Sequence, residues 1–423
     1  MNLIPDKKNN TSSSPLERGS GGEVKKIVLA FSGGLDTSYC AIYLSRELGY
    51  EVHTLTVNTG GFSAEETRDI EKRALALGVA SHQTVDETKN YYEKVIKYLI
   101  FGNVLKNSTY PLSVSAERMS QALAVANYAL KIKANGVAHG STGAGNDQVR
   151  FDMVFQILAP GLEIITPIRD KRLSREAEIE YLKDMGVVFN FEKATYSINK
   201  GLWGTSVGGR ETLNSMGHLP EEAWPTQITK AGSEEVRLGF DKGELTSING
   251  KKFSHPVEVI HFLQSIAGPF GIGRDIHVGD TIIGIKGRVG FEAAAPLLII
   301  KAHHALEKHV LTKWQLSWKD QLSQFYGNWL HEGQYLDPVM RDIEAYLINT
   351  QQHVTGEVSI TLNPYRYQIN GIESKYDLMS AKFGKYGEMN LGWTGDDVKG
   401  FTKIVGNQVS IYHLVKEEAE SKK

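Results

Sequence analysis

The sequence reads as an α/β protein in two parts, a parallel-sheet domain followed by an α+β domain, and three observations lead there. From Lys26 to about Phe191, short apolar runs alternate with longer amphipathic ones, the grammar of strands joined by crossover helices. Two glycine-rich strings, 32–38 and 140–146, each connect the end of an apolar run to the start of an amphipathic one. Beyond Phe191 the alternation stops, and Gly- and polar-rich stretches lead into helical and hairpin patterns.

Taken in order, 27–31 reads as a buried strand, 37–48 as a helix closed by Gly49, and 52–57 as a second strand. Ser63 and Glu66 have capping-box spacing, because the Ser hydroxyl can accept from the Glu66 amide while the Glu66 side chain reaches back. The helix they open carries Ile70, Ala74 and Leu77 on one face and runs to Gly78. A strand at 79–85, helices around 91–100 and 116–133, and strands at 137–139 and 163–166 complete a parallel sheet covered on both faces. Further on, three helical patterns run from Pro296 to about Thr355, and Asn370-Gly371 signals a hairpin turn. The expected division is a disordered tail 1–23, a nucleotide-binding domain 24–192, a second domain 193–390 and a C-terminal arm 391–423.

Length and composition set the outer limits. At ~150 residues per domain, 423 residues make about three domains, which two domains with a long arm also satisfy. Hydrophobic content of 41% with 23% charged residues argues against a disordered or fibrous chain. Lys+Arg 47 against Asp+Glu 49 gives a net charge of −2, without the basic excess of a non-specific nucleic-acid or membrane-surface binder. Neither nucleic acid nor membrane is therefore an expected partner. Cys40 is the only cysteine, which leaves no disulfide framework or Cys-rich zinc site and suits a reducing, cytoplasmic setting. It is expected to pack as a small apolar residue. Glycine is in excess: 42 residues, about 10% against a usual ~7%.

Some of those glycines mark the candidate sites. After strand 27–31 comes Ser32-Gly33-Gly34-Leu35-Asp36-Thr37-Ser38 and then a helix. Glycines let backbone amides approach a ligand, and the first-turn N–H groups of a helix lack internal partners, so the string can hold an anion. A helix dipole contributes only ~0.3–1 kcal/mol, so the hydroxyls of Ser32, Thr37 and Ser38 are needed as well. A bare Gly-Gly turn is otherwise a tight connection, but packing gives the hydroxyls and Asp36 no reason to cluster. The second string, His139 to Phe151, also joins a strand end to a helix, with Asn146 or Asp147 as its N-cap. In an open parallel sheet both strings fall at the carboxyl ends of strands, where ligands bind. Thr142, Asn146, Asp147 and Arg150 form a set suited to a zwitterionic amino acid; the alternative is a capped helix with a solvated arginine.

The first string resembles the pyrophosphate-binding loop of the N-type ATP pyrophosphatases, a superfamily that includes GMP, NAD and asparagine synthetases and tRNA thiolases. The second is closely similar to the HG-x-T-G-x-GNDQVRF signature of the argininosuccinate synthase family. Tyr110 to Arg118 (YPLSVSAER), Tyr196 to Ser206 (YSINKGLWGTS) and Gly271 to Arg288 fall in that family's order and spacing, so the resemblance covers about Val24 to the C-terminus. It implies an ATP-pyrophosphatase-type nucleotide-binding domain, a synthetase and multimerisation domain, and a homotetramer.

Position by position, the resemblance implies that Ala30, Phe31, Ser32, Gly33, Gly34, Leu35, Asp36, Thr37, Ser38, Val57 and Gly140 hold ATP. Thr142, Asn146 and Asp147 would hold aspartate. Tyr110, Ser115, Asn146, Arg150, Ser197 and Ser206 would hold citrulline. Asp36 and Asp147 are the side chains expected to be critical, and no nucleophile is assigned. The implied reaction joins citrulline and aspartate to give argininosuccinate, AMP and diphosphate through a citrullyl-adenylate in arginine biosynthesis. Mg2+ would accompany ATP and diphosphate, with no resident metal.

The sequence departs from the family at two citrulline contacts. Gly279 stands where the family has a glutamate and Phe291 where it has a tyrosine, with Asp280 one residue away. This is either a lineage variant with a rearranged loop, or the mark of a substrate whose α-ammonium is masked, such as an N-acylated citrulline. Two other readings compete with the ligase. A tRNA-modifying adenylase of the same superfamily would bring a basic stripe and extra cysteines; a nucleotide-binding regulatory protein would have lost ligation through changes such as Gly279. His303, His304 and His309 read as packing or surface residues, and Trp314, Trp318 and Trp329 as core or subunit interface.

Overall fold

Ile27 and Leu29 point to one side of strand β1 (Lys26–Ala30) and Val28 to the other, and both sides are buried, so the strand must be covered twice. The computed structural model describes residues 24–187 and 196–380 and, toward the C-terminus, 384, 386–388 and 392–422. The expected tail 1–23 and the expected boundary at 192–193 lie outside the described residues. Strand β1 centres a five-stranded parallel sheet with β2 (Glu51–Asn58), β3 (Ser81–Asp86), β4 (Gly136–Ala138) and β5 (Glu163–Ile165), in the order β3-β2-β1-β4-β5. On one face, helices α1 (Leu35–Ile42), α2 (Ala64–Ala76) and α5 (Arg175–Asp184) pack on Ile27 and Leu29. On the other, α3 (Ser113–Lys131) and α4 (Asp147–Leu158) cover Val28, Leu55 and Val137. The Ser63–Glu66 capping box forms as expected, and Cys40 is fully buried.

The second part holds two antiparallel sheets. One, ordered β11-β12-β7-β6, contains β6 (Ser197–Gly201), β7 (Gly204–Gly208), β11 (Arg274–Asp280) and β12 (Lys286–Glu292). The other, ordered β10-β9-β8-β13-β14, contains β8 (Glu234–Asp241), β9 (Glu244–Ile248), β10 (Lys251–Lys252), β13 (Gly356–Asn363) and β14 (Arg366–Glu373). Helices α6 (Pro256–Ala267), α7 (Ala294–Val310), α8 (Lys313–His331) and α9 (Pro338–Thr350) complete it, and α10 (Gly395–Ser421) follows as a long helix without a buried residue. A single apolar cluster runs from α3 and α4 through α7 and α8 into β8 and β13. The two parts therefore share a core.

Three expectations are corrected. Helix α1 begins at Leu35, two residues before the expected start, and from Tyr43 to Glu47 it continues as a π-helical turn. The β13–β14 hairpin turns at Pro364 and Tyr365, not at Asn370-Gly371. Proline lacks the N–H a ladder needs, whereas Asn370 is the extra residue of a bulge, since Ser359 pairs with Gly371 and Ile360 with Ile369. Trp314 and Trp318 are exposed at the start of α8, which overturns the core half of their expectation and leaves the subunit-interface half open; only Trp329 of the three packs inward, stacked on Phe325. His303 is a packing residue: it is buried, its ring nitrogens meet Asn103 and Gln351, and burial pushes its imidazole down to about 4.

Two contacts tie the nucleotide-domain loops to their surroundings. The loop after β2 lies against the β6–β7 turn, where Leu202 N–H donates to the Thr59 carbonyl at 3.1 Å and Trp203 is fully buried. A Cβ on Gly61 would sit 2.0 Å from the Lys200 carbonyl oxygen. On the other face of the sheet, the Asp36 carboxyl of α1 lies against Glu178 of α5, which is 3% exposed. Burial and the neighbouring Asp36 carboxylate push Glu178 up to about 8, so Glu178 keeps a proton through neutral pH.

Gly61→Ala is expected to lower stability by about 1–3 kcal/mol through overpacking, read as a lower denaturation midpoint with an unchanged slope. For Glu178, the folded state keeps a proton that the unfolded chain releases near the ordinary carboxyl range, so its stabilisation is present at acid pH and fades as pH rises toward 8. Glu178→Gln, which does not titrate, is expected to raise Tm by ~2–4 °C above pH 8, with the gain vanishing near pH 5. An equal gain at both pH values would rule out the retained proton.

Candidate active site

Strand order decides where the loops meet. β2 and β3 lie on one side of β1, and β4 and β5 on the other, so the connections leaving β1 and β4 diverge and open a crevice at their carboxyl ends. Phe31 leaves β1 with its N–H on the Leu55 carbonyl (2.9 Å) and its own carbonyl held by Thr56 Oγ1 (2.7 Å). Gly33 then turns the chain at φ +72°, a conformation that favours glycine, and its carbonyl accepts from Arg73 of α2. The first-turn amides of α1 follow, with no carbonyl of their own helix to bond.

Ser32 Oγ lies 3.3 Å from Thr37 Oγ1 and accepts from Gly34 N–H at 3.4 Å. Ser38 differs from expectation: it is fully buried and its hydroxyl donates to the Gly34 carbonyl at 2.7 Å, so it braces the loop from within. Asp36 also turns its carboxyl away, toward Glu178. Leu35 is in the core beneath, and Val57 is buried near the end of β2. Gly140, after β4, comes so close that a Cβ would lie 3.2 Å from Asp36.

The second loop ends at α4, and the expected cap does not form. Asn146 occupies the N-cap position, but its Oδ1 accepts from Ile282 N–H at 2.8 Å, reaching the second part of the molecule instead. Asp147, in the first turn, is gripped from two helices: Oδ2 accepts from Arg118 Nε of α3 at 2.9 Å, and Oδ1 from Arg150 Nη1 of α4 at 2.8 Å. Burial opposes its ionisation, but the two guanidiniums hold it below the usual carboxylate range. Its side chain remains 33% exposed while that of Arg150 is 3% exposed, so part of Asp147 stays accessible while its partner is buried. Thr142 is exposed on the loop above. Arg118 also reaches Glu117, Gln121 and Asn199 of β6, and burial pushes the Glu117 carboxyl up to about 7. Arg150 donates through Nε to the His331 carbonyl at the end of α8 and through Nη2 to Ser115 Oγ.

Beside this clamp lies a buried cluster built on Tyr110. Leu112 precedes α3 in the left-handed region at φ 62°, and such strain in a non-glycine residue collects at functional sites. The Tyr110 ring stacks on His277 with centroids 4.9 Å apart and tilts against Phe291 at 5.3 Å. Phe291 of β12 pairs with Ser206 of β7, whose hydroxyl lies 3.5 Å from Asn199 Nδ2. Ser197 sits at the exposed start of the edge strand β6, farther out than the others. Gly279 shares the buried face of β11 with His277, and a Cβ there would lie 2.6 Å from His277 Nε2. Asp280 is on the opposite face and pairs with Lys286 at 2.6 Å, so it does not supply a carboxylate at position 279.

The structure thus gathers Ser32, Thr37, Gly140, Asn146, Asp147, Arg150, Ser115, Tyr110, Ser206 and Phe291 about one crevice, and leaves Ser38 and the Asp36 carboxyl turned inward. Sequence reasoning did not single out Arg118 by itself, although it ends a string already noted, and it missed His277 and His331, whose rings reach Tyr110 and Ser115 only through long-range packing.

The description of the arginosuccinate synthase N-terminal HUP domain matches residues 26–188, and that of the arginosuccinate synthase C-terminal domain matches residues 196–412. The argininosuccinate synthase of Methanocaldococcus jannaschii is 38% identical over 392 residues, 92% of this chain and 98% of that one. That of Xanthomonas campestris pv. campestris is 37% identical over 403 residues, covering 92% and 99%. That of Sulfurisphaera tokodaii is 35% identical over 395 residues, covering 93% and 100%. With both halves matched and relatives at 35–38% identity over nearly their whole length, the chain belongs to the argininosuccinate synthase family.

Proposed function

We propose that the protein is an ATP-dependent, AMP-forming carbon–nitrogen ligase that joins aspartate to the ureido carbon of a citrulline-type amino acid in arginine biosynthesis. One observation carries this most directly: Asp147, held ionised between Arg118 and Arg150, opens onto the crevice where the loops after β1 and β4 meet. The backbone amides of 32–38 with the Ser32 and Thr37 hydroxyls suit the phosphates of ATP, and Val57 and Gly140 border the nucleotide. Mg2+ enters with ATP and leaves with diphosphate as part of the substrate. Tyr110, Ser115, Arg150, Ser197 and Ser206 are assigned to the ureido substrate, and Thr142, Asn146 and Asp147 to aspartate.

In this reading the ureido oxygen forms a bond to the α-phosphorus of ATP as the bond to diphosphate breaks. The aspartate amine then bonds to the activated carbon, AMP departs with the oxygen, and the amine loses a proton. A carboxylate held ionised by two guanidiniums is a poor proton acceptor, so Asp147 positions the ammonium of aspartate rather than deprotonating it. Alignment of two bound substrates can supply ~7–11 kcal/mol, and no residue need act as a nucleophile.

The buried, single Cys40 suits a reducing cytoplasm, and no helix among the described residues is long and apolar enough to cross a membrane. The family resemblance implies a homotetramer, and α10, which exposes Phe401, Ile404, Val405 and Tyr412 and has no buried residue, supports an assembly of more than one copy.

ATP consumption should yield AMP and diphosphate only when both aspartate and a ureido substrate are present. Nucleotide binding with no release on any ureido substrate would instead support the regulatory reading. Asp147→Asn is expected to lower kcat/KM at least ~10²-fold while leaving ATP affinity within a few-fold; unchanged turnover would remove Asp147 from the site. Light scattering should give a tetramer's mass for the whole chain and a smaller one when the chain stops before Thr394.

A further inference from the structure

We propose that Gln148 is a positioning residue for the loop 140–146, and that with Arg169, Asp152 and His139 it forms a brace holding this loop in the shape that receives aspartate. The proposal rests on the ligase reading, which assigns Thr142, Asn146 and Asp147 to aspartate, and adds the residues that set their places.

The brace can be followed bond by bond. Gln148, in the first turn of α4, donates through Nε2 to two loop carbonyls, those of Gly143 at 2.7 Å and Gly145 at 3.1 Å. Its Oε1 accepts from Arg169 Nη1 at 3.4 Å, and the same guanidinium nitrogen donates to Asp152 Oδ2 at 2.6 Å. Asp152 Oδ1 lies 2.9 Å from His139 Nε2, and His139 Nδ1 accepts from the Ser141 amide at 3.3 Å. A backbone N–H can only donate, so the His139 ring hydrogen is on Nε2 and goes to Asp152. The path leaves the loop at Gly143 and Gly145 and returns to it at Ser141. One chain of four side chains thus fixes both ends of the stretch that carries Thr142.

Each member is itself held. His139 is buried, and its ring stacks on Phe151 with centroids 5.4 Å apart. Arg169, on the short helix Pro167–Lys171 after β5, also donates through Nε to the fully buried Thr166 Oγ1 at 3.1 Å. Burial opposes a charge on Asp152, but His139 and Arg169 hold its carboxyl below the usual carboxylate range. The acceptor in the middle of the chain therefore stays ionised.

The loop needs this support because three of the six residues 140–145 are glycine, which loses more conformational freedom on ordering than any other residue. In a trans peptide a carbonyl and the next amide point in opposite directions. Tying the Gly143 and Gly145 carbonyls to Gln148 therefore turns the amides of Ala144 and Asn146 away from the brace. Gln148 also adjoins Asp147 in the chain, so the side chain that pins the loop follows directly on the carboxylate that Arg118 and Arg150 grip. The loop is fixed on both sides of Asn146.

The test measures KM for aspartate and for the ureido substrate by AMP release from the whole protein, with ATP and either citrulline or N-acetylcitrulline, whichever the wild-type chain turns over. Gln148→Leu keeps most of the bulk and loses every side-chain hydrogen bond. It is expected to raise KM for aspartate on the order of ten- to a hundredfold, the scale of small misplacements at an active site, with KM for the ureido substrate nearly unchanged. Arg169→Met should move the same constant in the same direction. Because both residues act through one chain of bonds, the double variant should fall well short of the product of the single effects. A lower Tm with KM for aspartate unchanged would make the brace purely structural and overturn the proposal, as would an equal rise in both KM values. Should Gln148→Leu fail to fold, an unchanged KM for aspartate in Arg169→Met, at a side chain 28% exposed, overturns it alone. A wild-type chain that turns over neither ureido compound overturns the ligase reading, and the proposal with it.

Discussion

Everything near the crevice depends on keeping one carboxylate ionised between two arginines. Arg118 comes from α3, Arg150 from α4, and among their other hydrogen bonds are those to Asn199 on β6 and to the His331 carbonyl at the end of α8. Buried guanidiniums are tolerated only when their charge and hydrogens are matched, and removing one partner of such a set commonly costs 3–5 kcal/mol. The Asp147 carboxylate is thus both a structural joint and, by its open side, a group available to a ligand. The same joint explains why the two parts share a core instead of meeting at a wet interface: α3 and α4 face β1 on one side and α7 and α8 on the other.

The loop after β1 works by a complementary device. Where the clamp concentrates charge, this loop presents the first-turn amides of α1, which have no carbonyl of their own helix to bond, and braces them from behind. Ser38 and Gly34 bond to each other, Arg73 holds the Gly33 carbonyl, and the Asp36–Glu178 pair fastens the start of α1 to α5. A loop that must not collapse when empty needs such internal ties, and residues first read as ligand contacts turn out to supply them. Gly140 is glycine for a related reason, since its neighbour across the crevice is the Asp36 backbone and side chain.

How far each feature could be read from the chain follows its range. The parallel sheet, the Ser63–Glu66 cap and the two glycine loops are local patterns, and they appear in the structure close to where periodicity and turn chemistry put them. The hairpin at Asn370-Gly371 was misread because the dipeptide that marks a tight turn also suits a bulge, and Pro364 ends the ladder first. Ser38 and Asp36 were legible as members of a motif but not in the direction of their side chains. Trp314 and Trp318 follow a helical stripe, yet the stripe faces outward at the start of α8.

By itself, the sequence determined the family, the order of the elements, and the two glycine-rich strings that leave β1 and β4, because each of these is written in residues a few positions apart. Only the tertiary structure decided that Arg118 and Arg150 share Asp147, and that His277 stacks on Tyr110 while His331, from the end of α8, meets Ser115 and Arg150. Hydrogen-bond balance and local charge are sums over whatever packing brings together. They do not exist until β11, the segment before α3 and the end of α8 are in contact.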